Sequence, residues 1–509
     1  MIGIVETMSF SPGESQAQNR FLPDTVLAVL PADILQALAF SGRRLGLPLY
    51  FSGGVVRDWV LGRRPADVDL TVAAGALDYA QELAGMVDAA FVPLSPEEGV
   101  ARVVRGDCCL DISQFREGTT AIETDLCRRD FSVNALALAF DCHTLSWADS
   151  GRIIDPTHGL ADIDGKVVRL AHPQAFSSDP LRLLRAYRFQ VVLGGSIEAE
   201  TRDAITRQAS LIATVSGERV AAELEAIFAS GSVHLAISGM AESGLLFHVF
   251  PELGPGVGLA QPSSHHLDVF GHSLEALRQM ELIVRSPGDF FGDCLDAVAA
   301  YLHEPRQVIR LMYAALLHDL GKTITAAEKG GRIVFHNHDE AGSALFMAIA
   351  RRLRLGNEDS RRISQLVRQH MWPFHLQNAR VRTGVTPRAI LKLGKAAGDD
   401  LIGLFLLAMA DSLAGQGPGK PMGMEEGVAR LFGEVHRAYQ GWIKPMISRP
   451  LLTGDDLIQE LRLTPGPIFS QILDGLLEAR VAAPEMTRAE ALDWVRAFCR
   501  QAEKSLQRS

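Results

Sequence analysis

The chain has 509 residues, of which 22% are charged, and its formal net charge is −10. A chain of this length holds several domains, and its acidic balance provides no general positive field for nucleic acid, so any such site must be a local patch. The six cysteines lack C-x-x-C spacing, and no apolar run reaches the roughly 18 residues of a membrane span. We therefore expect a soluble, reduced, cytoplasmic protein with no membrane partner.

The first 23 residues lack the basic and apolar blocks of a signal peptide and are expected to form a flexible tail. Residues 24–46 then carry helical periodicity and lead into a strand. The next stretch, YFSGGVVRDWVLGRRPADVDLT from Tyr50 to Thr71, predicts a strand, a glycine turn, a short helix and a second strand.

Two carboxylates, Asp67 and Asp69, close this stretch and point the same way, because strand side chains alternate with period two. Carboxylates placed in this way can share a divalent metal, as nucleotidyl transfer requires. The turn Gly53-Gly54 would let the backbone close on a triphosphate, with Arg57 as its charged partner.

Downstream, a helix is predicted near residues 77–87, followed by strands at 100–105 and 108–114. Asp111 on the second of these strands is either a third acidic group of the site or a solvated strand-end residue. From Glu123 a helix is predicted whose apolar residues, through Leu138, face the core. This leaves the charged residues of RRDFSVNALA (128–137) free for a site.

The stretch FSSDPLRLLRAYRF (176–189) predicts a helix that begins at Pro180 with Asp179 before it. Arg182, Arg185 and Arg188 recur every three residues and share one broad side of this helix. Without interleaved acids these arginines would repel one another unless an anion lies there, which suits a triphosphate and a nucleobase.

A second group of residues lies between positions 261 and 411. Its members lie at the edges of predicted helices and are His272, His318, Asp319, His338, His370 and Asp411. Imidazole and carboxylate together suit a divalent transition metal that activates water against a phosphoester. Arginines are concentrated between positions 351 and 388. They are expected to form either a solvated helix face or a contact for an RNA backbone. Gly415–Gly423 has the composition of a flexible linker.

The motifs around Asp67, Arg129 and Asp179 resemble those of the class II tRNA nucleotidyltransferase and bacterial poly(A) polymerase family. The histidine set resembles the HD phosphohydrolase superfamily. This resemblance implies an α+β fold: a polymerase β-like nucleotidyltransferase head with a mixed sheet and helices, then an all-helical neck, HD domain and tail. The expected boundaries are 1–23 for the tail at the N-terminus, 24–165 for the head, 166–255 for the neck, 256–415 for the HD domain and 425–509 for the C-terminal tail.

The resemblance also implies the chemistry, namely template-independent transfer of CMP or AMP from CTP or ATP to the tRNA 3′ end with release of pyrophosphate. In the head, Mg²⁺ is expected on Asp67 and Asp69. Nucleotide contacts are expected from Gly53, Gly54, Arg57, Arg129, Asp130, Asn134, Asp179, Arg182, Arg185 and Arg188, among which Asp179 and Arg182 read the base. A transition metal is expected on His272, His318, Asp319 and Asp411, with His338 and His370 as second-metal or phosphate ligands.

Three alternatives stay open at this point. Only a dozen residues separate Phe115 from Arg128, and this short segment is similar to that of family members that add only two cytidines. Poly(A) polymerases have the same type of head, so that activity is a second alternative. The family usually has a glutamate where this chain has Ser178, so base selectivity is open too. The third alternative belongs to a different functional class: the HD site carries the principal activity, and the head is only an RNA-binding module.

Overall fold

The computed structural model describes residues 20–506, with side chains through residue 501. The described chain divides into two compact units: residues 20–223 with Gly239–Val249 form the first, and Leu224–Ser238 with residues 250–506 form the second. The first unit combines a sheet with helices, whereas the second is almost entirely helical. Within these residues, we find no helix with the length and apolarity needed to cross a membrane.

A seven-stranded mixed sheet organises the first unit. Its strands are β1 (Leu49–Ser52), β2 (Val68–Val72), β3 (Ala90–Ser95), β4 (Val100–Arg105), β5 (Cys108–Gln114), β6 (Ala137–Asp141) and β7 (Ser146–Trp147). Their spatial order is β3-β4-β5-β2-β1-β6-β7, and β2 pairs with β5 in parallel while every other neighbouring pair is antiparallel. Phe51, Leu70 and Ile112 are fully buried in its central strands, which explains why these strands read as apolar runs.

The helices of the first unit pack on this sheet and continue beyond it. They are α1 (Ala32–Leu45), α2 (Gly54–Val60), α3 (Ala76–Met86), α4 (Ile122–Leu126), α5 (Gly159–Gly165), α6 (Ala175–Ser178), α7 (Arg182–Leu193), α8 (Ala199–Gln208) and α11 (Leu245–Val249). Helices α9 (Gly217–Phe228) and α10 (Val233–Glu242) each have residues in both units. A short parallel pair joins β8 (Val167–Val168) to β9 (Ser196–Ile197). The buried Tyr79 on α3 donates a hydrogen bond to the Leu38 carbonyl on α1 at 2.6 Å, which ties these two helices together.

The helix predicted from Glu123 to Leu138 is wrong. Helix α4 ends at Leu126, and the later part of that stretch is strand β6, paired with β1. Leu136, Leu138 and Phe140 alternate with small residues at period two, and this strand pattern prevails over helical propensity. Strand β3 was not predicted, because it is an edge strand whose residues are largely exposed.

Most of the flexible tail predicted over residues 1–23 lies outside the described residues. Its last few residues are described and are paired with the head. Phe21 forms a β-bridge with Arg152, and the Leu22 amide donates to the Gly151 carbonyl at 3.0 Å.

Fifteen further helices and a hairpin make up the described part of the second unit. The helices are α12 (Val269–Arg285), α13 (Gly288–Phe291), α14 (Leu295–Leu302), α15 (Pro305–Leu317), α16 (Lys322–Thr325), α17 (His338–Arg352), α18 (Asn357–Gln369), α19 (Trp372–Thr383), α20 (Pro387–Ala397), α21 (Leu401–Ala414), α22 (Met424–Ala438), α23 (Lys444–Ser448), α24 (Gly454–Gln459), α25 (Ile468–Ala482) and α26 (Arg488–Leu506). The hairpin joins β10 (Ala326–Lys329) to β11 (Arg332–Phe335).

Helix α21 is the centre of this unit and is buried on nearly every side, which fits its apolar sequence LIGLFLLAMADSLA. It packs against α12, α15 and α22. The last helices have a core of their own around Leu457, Ile472 and Val495. Because α12, α15 and α21 pack together, the histidines and aspartates at their ends meet in one place.

Candidate functional site

Acidic side chains gather where β2 and β5 begin. Asp69 on β2 lies in register with Asp111 on the parallel strand β5, and Asp67 immediately precedes β2 with its side chain 48% exposed. The Gly54 amide donates to Asp69 Oδ2 at 3.2 Å. Burial raises the pKa of Asp69, with a further rise from Asp111 and partial compensation by Arg129. A partly buried and an exposed carboxylate thus share one open edge, as a divalent ion requires.

Arg102 also belongs to this edge, although no sequence pattern indicates it. Its guanidinium holds Asp111 through two hydrogen bonds of 2.7 and 2.8 Å and lies 3.8 Å from Asp67. Arg102 stands opposite Asp111 in the antiparallel pair of β4 and β5, so only the strand register could have revealed it. Asp111, for which two interpretations were open, therefore faces the acidic pair and is ion-paired.

The glycine turn between β1 and α2 lies against this acidic edge. Gly53 has φ 76° and ψ −130°, a conformation that other residues rarely adopt. A Cβ atom at Gly53 would fall inside 3.0 Å of Arg129 Nη1 and 3.4 Å from Asp69 Oδ2. Residue 53 therefore must be glycine both for its backbone angles and for the space that Arg129 occupies.

Arg129 is the buried cation of the site. Its Nη2 donates to Ser52 Oγ at 2.7 Å and to Thr71 Oγ1 at 3.1 Å. Its Nε has no hydrogen-bond partner among the described residues and lies 3.8 Å from the buried Asp125. Burial, with repulsion from Arg116, lowers the pKa of Arg129 to about 10. Its guanidinium stays charged at neutral pH, with an unused donor.

Asp130 and Asn134 lie within the protein framework. Asp130 is buried and accepts two hydrogen bonds from Arg185, at 2.6 and 3.0 Å, and one from Asn134 Nδ2 at 3.0 Å. Burial disfavours the Asp130 carboxylate, but Arg185 and Asn134 outweigh this effect and lower its pKa. Asn134 Oδ1 accepts from Arg57 at 2.6 Å. These contacts form a relay that fixes two arginines at the site.

Helix α7 presents the three arginines expected from the sequence, and two of them have acidic partners. Arg185 pairs with Asp130, and Arg188 pairs with Glu223 on α9 at 3.2 Å. The inference that an anion must relieve their repulsion is therefore wrong, because acids from distant parts of the sequence supply the counter-charge. The guanidinium carbons of Arg188 and Arg185 also lie 4.9 and 5.5 Å from the ring centroid of Phe189.

Asp179 and Arg182 occupy the start of α7. Arg219 on α9 donates to both oxygens of Asp179, at 3.0 and 3.1 Å. Arg182 Nη1 donates to the Ser178 hydroxyl at 3.2 Å and to the Ala175 carbonyl at 3.3 Å. Arg219 thus orients the carboxylate, while Ser178 gives Arg182 a neutral acceptor.

The second candidate site lies where helices α12, α15, α17, α18 and α21 end or begin. Asp319 is its centre and is fully buried. Its Oδ2 lies 3.4 Å from His272 Nε2 and 3.3 Å from His318 Nε2. Its Oδ1 lies 3.4 Å from His338 Nε2 and 3.6 Å from His370 Nε2. The two oxygens of one carboxylate thus face two separate pairs of imidazoles.

Asp411 on α21 completes the first of these groups, at 3.0 Å from His272 Nε2 and 3.7 Å from His318 Nε2. Burial opposes protonation of His318, but Asp319 and Asp411 outweigh it and raise its pKa to about 10. All six residues predicted for this site, His272, His318, Asp319, His338, His370 and Asp411, therefore lie together.

The hydrogen bonds of these imidazoles suit metal ligands. The Nδ1 atoms of His318, His338 and His370 contact backbone carbonyls at 3.0, 2.9 and 2.6 Å and so must donate. With Nδ1 as the donor, each ring directs Nε2 toward the centre of the site, where a metal would replace any proton on Nε2. His318 Nε2 is buried without a partner, and the Nε2 atoms of His338 and His370 face each other at 3.1 Å. Two facing lone pairs beside a carboxylate fit a shared cation.

Two residues of this site were missed in the sequence. His265, in the loop before α12, forms a metal-capable group with His272 and Asp411. Burial lowers the pKa of His265 to about 4, so its imidazole is neutral. Gln261, in the same loop, accepts from Lys322 Nζ at 2.8 Å, and Lys322 also donates to Asp319 at 2.6 Å. A loop histidine has no helical periodicity to reveal it, and only its fold neighbours identify it.

The arginine-rich stretch after residue 350 is mostly committed to ion pairs. Arg362 is buried and holds Asp400. The other pairs within this unit are Arg352–Glu252, Arg368–Glu340, Arg380–Glu434, Arg388–Glu478 and Lys395–Asp474. Six of the basic residues in this stretch are therefore paired with acidic groups of the same unit.

Family models match residues 49–169 as a poly(A) polymerase head domain, 195–255 as a probable RNA- and SrmB-binding site of polymerase A, and 269–415 as an HD domain. An A-adding tRNA nucleotidyltransferase of Deinococcus radiodurans is 34% identical over 464 residues, which cover 87% of this chain and 94% of that protein. The chain belongs to the tRNA nucleotidyltransferase family.

A CC-adding tRNA nucleotidyltransferase of Thermus thermophilus is 31% identical over 87% of this chain and 92% of its own length. The fold agrees with solved structures of this family. A CCA-adding enzyme in complex with ATP superposes with a TM-score of 0.63 at 21% identity, covering 95% of this chain and 98% of that one. The Thermotoga maritima CCA-adding enzyme complexed with tRNA superposes with a TM-score of 0.61 at 21% identity, over 94% and 99% of the two chains.

These comparisons confirm three predictions: the tRNA nucleotidyltransferase and poly(A) polymerase family, the HD domain, and the α+β fold with a mixed-sheet head and helical remainder. The chain is therefore an enzyme of the tRNA nucleotidyltransferase family.

Proposed function

We propose that this tRNA nucleotidyltransferase transfers CMP, AMP or both from CTP and ATP to the 3′ hydroxyl of tRNA and releases pyrophosphate. The observation that carries the proposal is the edge at which Asp67 and Asp69 lie beside the glycine turn and the buried Arg129. The relatives' names, which state addition of A or of CC to tRNA, support tRNA as the partner. A module that only bound nucleotide would not require two carboxylates arranged to share a divalent ion.

In this proposal Asp67 and Asp69 hold Mg²⁺. When bound, Mg²⁺ activates the attacking hydroxyl and neutralises charge on the phosphorus and on pyrophosphate. The protein supplies the rest. The turn at Gly53 and Gly54 lets the triphosphate approach the backbone, and the buried guanidinium of Arg129 beside the turn supplies a positive charge. The relay from Asp130 and Asn134 holds Arg185 and Arg57 in place, so we propose that these two residues act by positioning the arginines.

Asp179 and Arg182 are proposed to read the base. Cytosine and adenine each present an amino donor beside a ring-nitrogen acceptor, whereas uracil and guanine present a carbonyl acceptor beside an N–H donor. A carboxylate next to a guanidinium complements the first arrangement and conflicts with the second. The pair can thus accept CTP and ATP without a template, and Arg219 keeps Asp179 in orientation for this task.

The segment from Phe115 to Arg128 bears on which nucleotides are added. It contains only a turn and helix α4, closed by two hydrogen bonds from the Arg116 guanidinium to Asp125 at 2.9 and 3.1 Å. Many full CCA-adding members of the family carry a longer flexible segment here, which helps the change from C to A addition. The short segment favours addition of CC, and this is the specific observation behind that narrower candidate.

The test uses three tRNA transcripts, ending at the discriminator base, after one C and after two C, each with labelled CTP, labelled ATP or both. Addition of CC to the first transcript with no A on the third would establish the CC-adding activity. Addition of A to the third transcript alone would establish an A-adding enzyme, and all three additions would establish CCA synthesis. Failure to add any nucleotide to any transcript would contradict the proposal.

We further propose that the HD centre binds a divalent transition metal and hydrolyses phosphoesters. The observation behind this second activity is Asp319, whose two oxygens face two pairs of imidazoles, so the side chains fit one metal position and a second beside it. When bound, the metal lowers the pKa of a coordinated water. Lys322, held by Asp319 and Gln261, provides a cation beside the site for a phosphate.

Two variants separate the activities and also test the reading in which the HD centre is the principal site. Asp67→Ala should abolish nucleotide addition and leave metal-dependent hydrolysis of a 2′,3′-cyclic nucleotide unchanged. His318→Ala should do the reverse. If Asp67→Ala abolishes both, the sites are not independent. If the wild type hydrolyses phosphoesters but adds no nucleotide, the head is an RNA-binding module.

We assign these activities to the head at residues 24–165, with its neck at 166–255, and to the HD domain at 256–415, followed by the tail at 425–509. A cytoplasmic location is part of the proposal. All six cysteines are free, which fits a reducing compartment.

A further inference from the structure

The metal-capable side chains of the HD domain form a continuous row. Three overlapping groups each place their ligand atoms within 4.8 Å of one another: His265 with His272 and Asp411, His272 with His318 and Asp319, and Asp319 with His338 and His370. The five helices that meet at this site carry or directly precede the other six residues. His265 alone comes from a loop, and it occupies one end of the row.

The position of His265 suits a ligand. Its ring stands edge-to-face on that of His272, with centroids 4.7 Å apart at an interplanar angle of 78°. Bonds of about 2.1 Å to one ion place two ligand atoms up to about 4.2 Å apart, and the ligand atoms of these three side chains lie within 4.8 Å of one another, which is close to that limit.

A second segment holds this loop in place. The Gly417 amide donates to the Ser264 carbonyl at 2.9 Å, and the Gly419 amide donates to the Ser263 carbonyl at 2.8 Å. The Gln416 amide donates to His266 Nδ1 at 3.3 Å. This segment follows directly from α21, which carries Asp411, so the backbone that brings one ligand also holds the loop of the other.

The glycines of that segment are required by this close packing. A Cβ atom at Gly417 would lie 2.6 Å from the His265 amide nitrogen and would also overlap the Ser263 carbonyl. Composition alone predicted a flexible linker here. The glycines instead permit two backbones to approach each other beside the metal centre.

We propose that His265 is a ligand of the metal held by His272 and Asp411, delivered by the loop Gln261–Asp268 and kept in place by residues 415–419. The proposal rests on metal binding at the HD centre, which is part of the proposed function. His265 adds a nitrogen donor and occupies a coordination position that water or substrate would otherwise take. Displacement of the loop would open that position.

The test measures metal binding by the full-length protein without any substrate. The chelator-treated protein is titrated with Mn²⁺ by calorimetry and with Co²⁺ by visible absorption, a spectrum that reports the number and type of ligands. His265→Ala should weaken binding of the ion by at least about tenfold and alter the Co²⁺ spectrum. Added imidazole should restore the spectrum, which a merely structural role of His265 would not allow.

Three controls sharpen the result. His303→Ala removes an exposed histidine of the same unit and should bind as the wild type does. Gly417→Ala keeps His265 but displaces its loop, and it should weaken binding in the same direction. Gly292→Ala, where a Cβ atom meets nothing within 4 Å, should have no effect.

Each outcome decides the proposal. Unchanged affinity and spectrum in His265→Ala would overturn it while leaving the HD metal centre standing. Absence of metal binding in the wild type would overturn both this proposal and the HD part of the proposed function.

Discussion

Replacement of Gly53 by alanine tests the geometry of the head site. At φ 76° and ψ −130° an alanine is strained by about 1–3 kcal/mol. Its Cβ would also displace the Arg129 guanidinium, whereas its 3.4 Å separation from Asp69 Oδ2 is an ordinary contact. The atom that the Cβ would meet is at the end of the flexible Arg129 side chain, so the guanidinium can move away. The steric conflict should therefore reduce catalysis and add little to the loss of stability. Loss of one aligned donor reduces kcat by about 10²–10³-fold.

The matched control is Gly62→Ala. Gly62 has φ 67°, but a Cβ atom there meets nothing within 4 Å. Gly62→Ala should lower the free energy of unfolding by about 1–2 kcal/mol and leave nucleotide transfer unchanged. Each kcal/mol corresponds to a fall of roughly 2–4 °C in Tm. The assay is kcat/KM for incorporation of labelled nucleotide into tRNA, together with Tm by calorimetry. The reasoning is refuted if Gly53→Ala keeps transfer within about threefold of wild type, or if Gly62→Ala loses as much.

Three further substitutions have defined outcomes. Asp130→Asn breaks the buried pair with Arg185 and should destabilise the head by about 2–3 kcal/mol. Because the pKa of Asp130 is lowered on folding, its contribution is present at neutral pH and is lost below about pH 4, so the variant's Tm should fall less steeply there than that of the wild type. Asp179→Ala should reduce discrimination of CTP or ATP against UTP and GTP at least about tenfold, as ratios of kcat/KM, whereas equal ratios would contradict base reading. Mn²⁺ at about 100 times its Kd should stabilise the second unit by about 2.7 kcal/mol, and calorimetry of Asp319→Asn should detect no such shift.

Strand alternation and glycine turns predicted the centre of the head well. Asp67, Asp69 and the Gly53 turn follow from a local pattern, and the strands at 100–105 and 108–114 have the predicted bounds. The side-chain pairs across the sheet could not be predicted from the sequence, because Arg102 meets Asp111 only through the register of β4 and β5. For the same reason the acidic partners of the α7 arginines, such as Glu223, could not be anticipated.

The second site divides in the same way. Histidines at helix ends were recognised because their helices are periodic, and the six predicted residues do meet. His265 lies in a loop, and the glycines that fix this loop are more than 140 residues away in the sequence. Composition gave Gly415–Gly423 the appearance of a linker, since a sequence alone does not distinguish glycine chosen for freedom from glycine chosen for close contact.

The proposed reaction at the head is metal-dependent attack by the tRNA 3′ hydroxyl on CTP or ATP. The most direct measurement follows labelled CTP and ATP, with release of pyrophosphate, on tRNA with a normal 3′ end and on the same tRNA lacking its terminal hydroxyls. We expect one pyrophosphate for each nucleotide added to the normal tRNA with Mg²⁺, and no addition to the modified tRNA or by Asp69→Ala. Equal addition by Asp69→Ala, or no addition by the wild type, would contradict the account.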